Sequence, residues 1–343
     1  MESIKEEIKT LFKRLPSAEQ IDILKNLHEF TSSPNNKIHE IKSEILSNEI
    51  QKCPHCGSRE FIGWGRDKKI KRFKCKSCKR TFTEYSGTWV SHIHHKDLLD
   101  KYVDLMLQEK SIAKISEELE ISIQTSFDWR HKILGSIEKN EAEKFKNLTE
   151  SDETFFLHSQ KGQEKVTEKS RKRGGKSNKS GISKEQVAVI VTTDRKKEIE
   201  LSVATLGRIK KSDIESAIGS KIDENTILCT DSHASYKGFA IDNKIEHHMV
   251  KAKIKEYAKD KIYHVQTVNS LDSRLKPWIN IKLKGVATKY LQNYLNWFKM
   301  KETLKKSKNR VREFIRITIM NNNAWEKFMD LQDNYDNWMF SNA

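Results

Sequence analysis

The stretch TILCTDSHASYKG, from Thr226 to Gly238, joins a short apolar run to a pattern typical of a helix. Asp231 ends the apolar run. Polar side chains leave the core of an α/β sheet at the ends of its strands, so a carboxylate here can meet residues from neighbouring strands. The alternative is that an Asp at this position has no role beyond that of a turn residue or a helix N-cap. The stretch therefore predicts a strand, then a helix, with Asp231 as a candidate site residue.

Further strands are predicted before this stretch. SDETFFLH (151–158) is short and apolar after two acids, QVAVIVTTD (186–194) is a continuous apolar run rich in β-branched residues, and EIELSVATL (198–206) alternates. Mostly helical patterns follow Asp231. This order predicts a mixed sheet covered by helices. Asp152 is expected near the start of its strand, where it can meet Asp231 at a common edge. Two adjacent carboxylates repel each other unless a cation lies between them, and magnesium fits that role.

A third polar group follows in HVQTVNSLDSRLKPW (264–278). Asn269, Asp272 and Lys276 stand at i, i+3 and i+7 and so share one face of a helix. An amide oxygen is an acceptable ligand for a hard cation, and a lysine two turns away can neutralise phosphate charge. Pro277 should end or kink this helix just after Lys276.

The overall charge indicates a polyanionic partner. The 343 residues include 64 Lys plus Arg against 48 Asp plus Glu, a formal net charge of +16. Phosphate backbones favour such an excess through counterion release, although a soluble protein can also simply be basic. No apolar run approaches the ~20 residues that a membrane span needs, so we expect a cytoplasmic protein without a membrane partner.

Two CxxC pairs indicate a metal site. Cys53 and Cys56 are separated by 18 residues from Cys75 and Cys78, which is the pattern of four thiolates around structural zinc. A redox role would need only one such pair. The strand between the pairs alternates basic and apolar residues. This basic face either contacts DNA or is merely solvated, and its candidate DNA-binding residues are Arg66, Lys68, Lys71 and Arg72.

Residues 97–139 read as helices, with a short helix, a tight turn near Glu120 and a second helix from Thr125. This arrangement resembles a helix-turn-helix, whose second helix enters the major groove, but an ordinary helical hairpin gives the same pattern. The candidate DNA-binding residues here are Gln124, Thr125, Arg130 and Lys132. A basic, Gly- and Ser-rich stretch at 161–181 predicts a mobile loop that could clamp phosphates through Arg171 and Arg173.

Taken together, these motifs resemble the bacterial insertion-sequence transposases of the DDE superfamily, in the ISXO-like branch with an N-terminal zinc ribbon and an Asp-Asp-Asn-Lys signature. The resemblance implies an RNase H-like catalytic domain. It implies that Asp152, Asp231 and Asn269 bind Mg²⁺ or Mn²⁺, with Lys276 as the accompanying basic residue. It also implies two phosphoryl transfers, which are cleavage at the element end and attack of the freed 3′-hydroxyl on target DNA.

The resemblance also suggests partners and domains. The partners are double-stranded DNA at the terminal inverted repeats and at the target, with a homo-oligomer formed on that DNA in the cytoplasm, at the nucleoid. A DNA-binding regulator with an inactive RNase H-like domain remains the alternative. The expected domains are an N-terminal helical segment (1–48), the zinc ribbon (49–86), the helix-turn-helix (87–146), the catalytic domain (147–300, with a basic loop at 160–184) and a C-terminal helical tail (301–343).

Two features depart from the family pattern. Phe155 and Phe156 follow the DET motif where the family often has a glycine pair, so the shape of that strand end is not fixed by the resemblance. Asn269 gives one negative charge fewer than a third carboxylate would. Metal affinity could therefore be lower, and Asp272 or Glu153 could contribute a ligand instead.

Overall fold

The computed structural model describes residues 2–31, 52–67, 70–137, 144–163, 175, 177–250, 258–259, 262–321 and 324–342. Three of the predicted DNA-binding residues, Lys68, Arg171 and Arg173, lie outside these ranges, as does the middle of the predicted basic loop. The chain begins with helices α1 (Glu2–Lys13) and α2 (Ser17–Thr31).

A small antiparallel sheet follows in the order β1-β2-β3. Its strands are β1 (Phe61–Asp67), β2 (Ile70–Cys75) and β3 (Thr81–Thr83). One face of this sheet carries a cluster of three aromatic rings, in which the ring centroids of Phe61, Phe73 and Phe82 lie 5.4 to 5.5 Å apart. So small a sheet buries little apolar surface, and sheets of this size usually need a metal or a disulfide for stability.

Three helices come next. They are α3 (Leu99–Leu107), α4 (Ile112–Glu118) and α5 (Ile123–Gly135). Ser111 and Ser122 are the N-caps of α4 and α5, and each hydroxyl accepts a hydrogen bond from a backbone N–H in the first turn of its helix. Glu120 adopts a left-handed φ of 53° and so allows the tight turn between the two helices. The helix, turn and helix expected here are therefore present.

The central sheet has five strands in the order β6-β5-β4-β7-β8. β4 pairs antiparallel with β5, β5 antiparallel with β6, and β4 and β8 each parallel with β7. A mixed sheet of this kind, with helices on both faces, fits the RNase H-like fold that the resemblance implied. The strands are β4 (Leu148–Leu157), β5 (Gln186–Asp194), β6 (Ile199–Leu206), β7 (Ile227–Thr230) and β8 (Glu246–Met249).

Alternate side chains of β5 point into separate hydrophobic cores on the two faces of the sheet. Val187, Val189 and Val191 join the larger core, whereas Ala188 and Ile190 join the smaller one. The period of two along a strand accounts for this division, and burial on both faces explains why β5 reads as a continuous apolar run. The smaller core is closed by α6 (Lys211–Ile218) and α7 (Ala234–Asp242).

The larger core is closed by helices from two distant parts of the chain. Side chains of α3 to α5 and of the C-terminal helices pack into this same core. Residues 99–135 therefore share a core with the central sheet and the C-terminal helices rather than forming a separate one. A two-stranded sheet of β9 (Ala258–Lys259) and β10 (Tyr263–His264) precedes the C-terminal helices, which are α8 (Gln266–Pro277), α9 (Thr288–Thr303), α10 (Arg310–Ile319), α11 (Ala324–Met329) and α12 (Leu331–Asn342).

Candidate active site and metal centres

Asp152 and Asp231 come together because β4 and β7 run parallel in matched register. Glu150 pairs with Cys229 at the last position of this ladder, and two more residues along each chain lead to Asp152 and Asp231. β7 ends at Thr230, so Asp231 lies just beyond the strand end. Asp152 lies in the middle of β4 rather than near its start, because β4 begins at Leu148. The two predicted acidic residues thus lie close together inside the sheet, at the point where β7 ends beside the central strand β4.

Glu153 completes a cluster with these two residues. One carboxylate oxygen from each of Asp152, Glu153 and Asp231 lies within 4.8 Å of the other two. Successive side chains of a strand point to opposite faces, so Asp152 and Glu153 approach this point from different sides of the sheet. They can meet Asp231 there because β7 has already ended. Three carboxylates at this spacing form a typical set of oxygen donors for Mg²⁺ or Mn²⁺.

The electrostatics of the cluster favour a bound cation. Burial, with the added charges of Asp231 and Asp272, raises the pKa of Asp152 to about 6. Burial, with the charges of Asp152 and Asp231, raises the pKa of Glu153 to about 8. One oxygen of Glu153 is buried and has no hydrogen-bond partner among the described residues. A divalent cation would reduce the repulsion between the carboxylates and would give the buried Glu153 oxygen a partner. These residues therefore fit the metal that the resemblance implied.

The raised pKa of Glu153 leads to a prediction about stability. Because the folded, metal-free protein holds this proton up to about pH 8 and the unfolded chain loses it near the ordinary pKa of 4.5, the stability that the proton contributes is lost as pH rises through this window. Glu153→Gln mimics the protonated form at every pH. The variant should therefore match the wild type at about pH 4 and exceed its free energy of unfolding by several kcal/mol, at most about 5 kcal/mol, at about pH 9.

Urea unfolding at several pH values, in buffer without divalent cations or chelators, measures this difference. Glu117→Gln, at an exposed position of α4, is the matched control and should show no pH-dependent gain. A constant difference between Glu153→Gln and the wild type across the whole pH range would contradict the prediction.

The third set of predicted residues lies on α8. Val268, Leu271 and Leu275 are the buried residues of this helix, and Asn269, Asp272 and Lys276 lie on the face beside them. The α-helical part ends at Pro277, but the chain does not leave the helix there: it continues directly as one π-helical turn, Trp278–Lys282. The structure thus places the predicted polar residues on one helical face.

Two of these residues are electrostatically coupled to the acidic cluster. The charge of Asp272 raises the pKa of Asp152, and the charge of Lys276 lowers it. The Lys276 ammonium also forms an ion pair of 2.9 Å with Asp272. The second oxygen of Asp272 is buried and has no partner among the described residues. Asn269 is exposed on the same face, one turn before Asp272.

The four predicted cysteines converge at one end of the small sheet. One sulfur from each lies within 4.8 Å of the others, and the Cys53–Cys78 and Cys56–Cys75 Sγ distances are 3.7 and 3.6 Å. Tetrahedral zinc with bonds of about 2.3 Å requires sulfurs about 3.8 Å apart. Backbone N–H groups, first that of Cys78, lower the pKa of Cys75 to about 6 and so favour its thiolate. The donor set fits a structural zinc ion.

The second helix of the predicted helix-turn-helix is largely inaccessible. Arg130 is 1% exposed; its guanidinium donates to the Lys110 carbonyl at 2.8 Å and lies 5.2 Å from the centre of the Trp297 ring. Lys132 is also buried, at 7% exposure. The prediction that these two side chains contact DNA is wrong for this structure, because α5 packs against α9. Gln124 is exposed in the first turn of α5.

The remaining predicted DNA-binding residues lie toward solvent. Arg66 and Lys71 are exposed and face each other across the β1–β2 ladder, and Arg72 is half-buried on β2. Trp64 is 46% exposed on the same ladder, with the Lys74 ammonium 4.1 Å from the centre of its ring. Thr125 is half-buried in α5, where its hydroxyl lies 2.8 Å from that of Ser122.

Comparison with known proteins identifies the central part of the chain. Residues 144–303, which include the acidic cluster and α8, match the family of the ISXO2-like transposase domain. This region is an insertion-sequence transposase domain of the DDE superfamily. A curated relative, described as an uncharacterized protein in transposable element ISH50 of Halobacterium salinarum, is 25% identical over 257 residues, which cover 73% of this chain and 84% of that protein.

Two solved structures show a distant likeness to this chain. One is a pre-cleavage Mos1 transpososome, with a TM-score of 0.27 and 12% identity over 67% of this chain and 77% of the other. The second is the mariner Mos1 paired end complex with Mg, with a TM-score of 0.25 and 13% identity over 66% and 76%. Likeness at this level is too weak to bear on the chemistry of the site. Within the described residues, no helix is both long enough and apolar enough to cross a membrane.

The sequence did not predict a role at the site for two residues that shape it. Tyr236 is fully buried beneath the acidic cluster and its hydroxyl accepts a hydrogen bond from Ser151 at 3.2 Å. Glu150 is 1% exposed and contacts the start of α8. Sequence patterns gave no signal for either role, because both depend on partners more than 80 residues away.

Proposed function

We propose that this protein is a DDE-type transposase that cleaves DNA at the ends of an insertion sequence and joins those ends to target DNA. The observation that carries this proposal is the clustering of Asp152, Glu153 and Asp231 within 4.8 Å inside the transposase domain. Two strands distant in sequence supply these groups, so the cluster is a product of the fold. Neighbouring acids whose pKa values are raised by burial and by one another, as those of Asp152 and Glu153 are, are typical of functional sites.

Asp152, Asp231 and Asn269 would hold Mg²⁺ or Mn²⁺, and Glu153 and Asp272 are further candidate ligands. When bound, such ions stabilise the attacking and leaving oxygens of a phosphodiester during phosphoryl transfer. Asn269 supplies an amide oxygen without adding another negative charge to the site. The protein's own contribution is to fix these oxygens on a strand, a strand end and a helix before DNA arrives.

Lys276 has a separate role in the proposal. Its ammonium lies at the edge of the cluster, 2.9 Å from Asp272, and its side chain is 46% exposed. A lysine in that position can move to a phosphate oxygen of the bound DNA and neutralise its charge. Replacement by glutamine keeps much of the side chain's shape but removes this charge, so it should weaken DNA positioning more than metal binding.

We propose that zinc binds the four cysteines and that the resulting zinc ribbon contacts DNA. Bound zinc would hold together the strands that carry Arg66, Lys71 and Arg72. Contacts from such residues to phosphates contribute affinity without reading the sequence. The exposed ring of Trp64 adds an apolar surface beside them. Lys68, outside the described residues, remains a predicted member of this surface.

We propose a smaller DNA-binding role for the helix hairpin than the sequence suggested. Only the first turn of α5, with Gln124 and Thr125, is placed to approach a groove. Arg171 and Arg173 remain predictions, since they lie outside the described residues.

Binding of two element ends would need at least two copies of the chain on the DNA, and sizing the protein with and without end DNA tests that expectation.

A strand-transfer assay tests the proposed function. The substrate carries the matching inverted ends found beside the coding region, with Mg²⁺ or Mn²⁺ as the cation. Cleaved and joined products are expected only with the cation present. Cleavage without joining would favour an RNase H-like nuclease. DNA binding without any cleavage would favour the alternative, a regulator with an inactive domain.

A further inference from the structure

Glu150 is a buried carboxylate that anchors the helix carrying part of the candidate site. It lies on β4 two residues before Asp152, so both side chains point to the same face of the sheet. Its side chain is 1% exposed. A carboxylate so deeply buried is costly unless it is fully hydrogen-bonded and its charge is compensated.

The hydrogen bonds of Glu150 go to the first turn of α8. Oε2 accepts the backbone N–H of Thr267 at 2.7 Å and that of Val268 at 3.0 Å, and Oε1 accepts the Thr267 hydroxyl at 2.8 Å. The N–H groups of a first turn have no partner within their helix. A negative charge at this end also interacts favourably with the helix dipole. Glu150 therefore caps α8 from a strand 117 residues away.

Arg195 supplies the compensating charge. It forms an ion pair with Glu150 and also donates to the Thr267 hydroxyl at 2.9 Å and to the Ile262 carbonyl at 3.1 Å. His264 Nδ1 lies 3.3 Å from Oε1 of Glu150, the same oxygen that Arg195 contacts, and 3.4 Å from the Arg195 guanidinium. The network joins β4, the turn after β5 and the segment entering α8. It leaves the start of α8 little freedom to slide along the sheet.

The position of this anchor relates it to the acidic cluster. α8 is held at Thr267, and Asn269 and Asp272 follow within the next two turns of the same helix. The strand residue that holds α8 is two positions from Asp152. We propose that Glu150 is a positioning residue, which sets the distance of Asn269 and Asp272 from Asp152. The activity test of this inference rests on the proposed function, because it measures strand transfer.

The chain offers a matched control for loss of stability alone. Glu200 on β6 is also buried, at 3% exposure, and forms ion pairs with Lys221 and with Lys299, the latter at 3.0 Å. It has no contact with α8 or with the acidic cluster among the interactions of the described residues. Glu200→Ala should therefore weaken the fold through an unpaired buried charge without moving the site.

The experiment compares Glu150→Ala, Glu150→Gln and Glu200→Ala in the full-length protein. Both alanine variants should lower Tm by several degrees. Only Glu150→Ala should reduce kcat for strand transfer by about 10²-fold and weaken Mn²⁺ binding, read by electron paramagnetic resonance, by about 10-fold. Glu150→Gln keeps an acceptor for the two N–H groups, so it should recover much of both losses while the Tm remains lowered by the lost ion pair.

Three results would overturn the inference. The first is that Glu200→Ala, with the same loss of Tm as Glu150→Ala, also loses as much kcat and Mn²⁺ affinity. The second is that Glu150→Ala binds Mn²⁺ as tightly as the wild type does. If Glu150→Ala does not fold, Glu150→Asp, which keeps the charge but shortens the reach to the Thr267 and Val268 N–H groups, is compared with Glu200→Asp. The inference fails if these two variants lose Mn²⁺ affinity equally. Absence of strand transfer by the wild type refutes the proposed function instead, and Mn²⁺ affinity alone then decides the role of Glu150.

Discussion

Asp231→Asn should lower strand transfer by about 10³-fold or more and leave binding to element-end DNA within about twofold of wild type. The substitution removes one of the charges that would hold the divalent cation. It keeps an oxygen that can accept the His233 N–H, as Asp231 Oδ1 does now at 3.0 Å. The turn into α7 therefore stays intact and the fold is preserved. Gel-based joining assays and a fluorescence binding titration measure the two quantities.

Asp242→Asn is the control for this prediction, because Asp242 is an exposed carboxylate at the far end of the same helix. It should retain wild-type joining. The double variant Asp152→Asn with Asp231→Asn should be about as inactive as either single one, since the two residues act as a unit. Retention of more than about a tenth of the joining activity in Asp231→Asn would exclude this carboxylate as a ligand needed for the reaction.

Cys75→Ser should abolish zinc binding and unfold the small sheet of β1 to β3. Zinc supplies about 10–16 kcal/mol to domains of this kind, far more than three aromatic rings on a small sheet can provide. Serine binds zinc poorly because its hydroxyl is not ionised at neutral pH. Zinc content measured by atomic absorption should fall from one ion per chain to none. Limited proteolysis should then cut within residues 52–86.

Cys229→Ala provides the matched control, since Cys229 is buried on β7 and is not part of the four-cysteine cluster. It should keep one zinc ion per chain and a protected sheet. If the ribbon contributes to DNA binding, Cys75→Ser should also weaken end binding, whereas Cys229→Ala should not. A full zinc content in Cys75→Ser would refute the four-thiolate site.

Local patterns were sufficient for the parts of the site that depend on spacing. The two CxxC pairs predicted the four-sulfur cluster, because short loops bring such pairs together whatever the rest of the chain does. Asp231 was predicted from the sharp end of an apolar run. The shared face of Asn269, Asp272 and Lys276 followed from helical period alone. Each of these inferences needed only neighbours within one or two elements.

Contacts between segments that are distant in the sequence could not be predicted from local patterns. Arg130 and Lys132 looked like solvent-facing residues of a recognition helix, yet α9 covers that side of α5. Glu150 lies in the polar run TESDE (149–153), where nothing marks it as buried. Its partners begin 117 residues later. The sequence indicated Glu153 only as a substitute ligand that could replace the charge missing at Asn269. Its place in the cluster depends on β7 ending at Thr230, which no local pattern of β4 shows.

Diffraction from crystals of the full-length protein grown with Mn²⁺ tests the central claim most directly. Anomalous scattering at the manganese edge locates the ion independently of the protein density. We expect a peak about 2.0–2.3 Å from carboxylate oxygens of both Asp152 and Asp231. The claim would be contradicted if crystals grown at a Mn²⁺ concentration that supports strand transfer showed no manganese beside Asp152 and Asp231. It would also be contradicted if manganese bound only elsewhere in the protein.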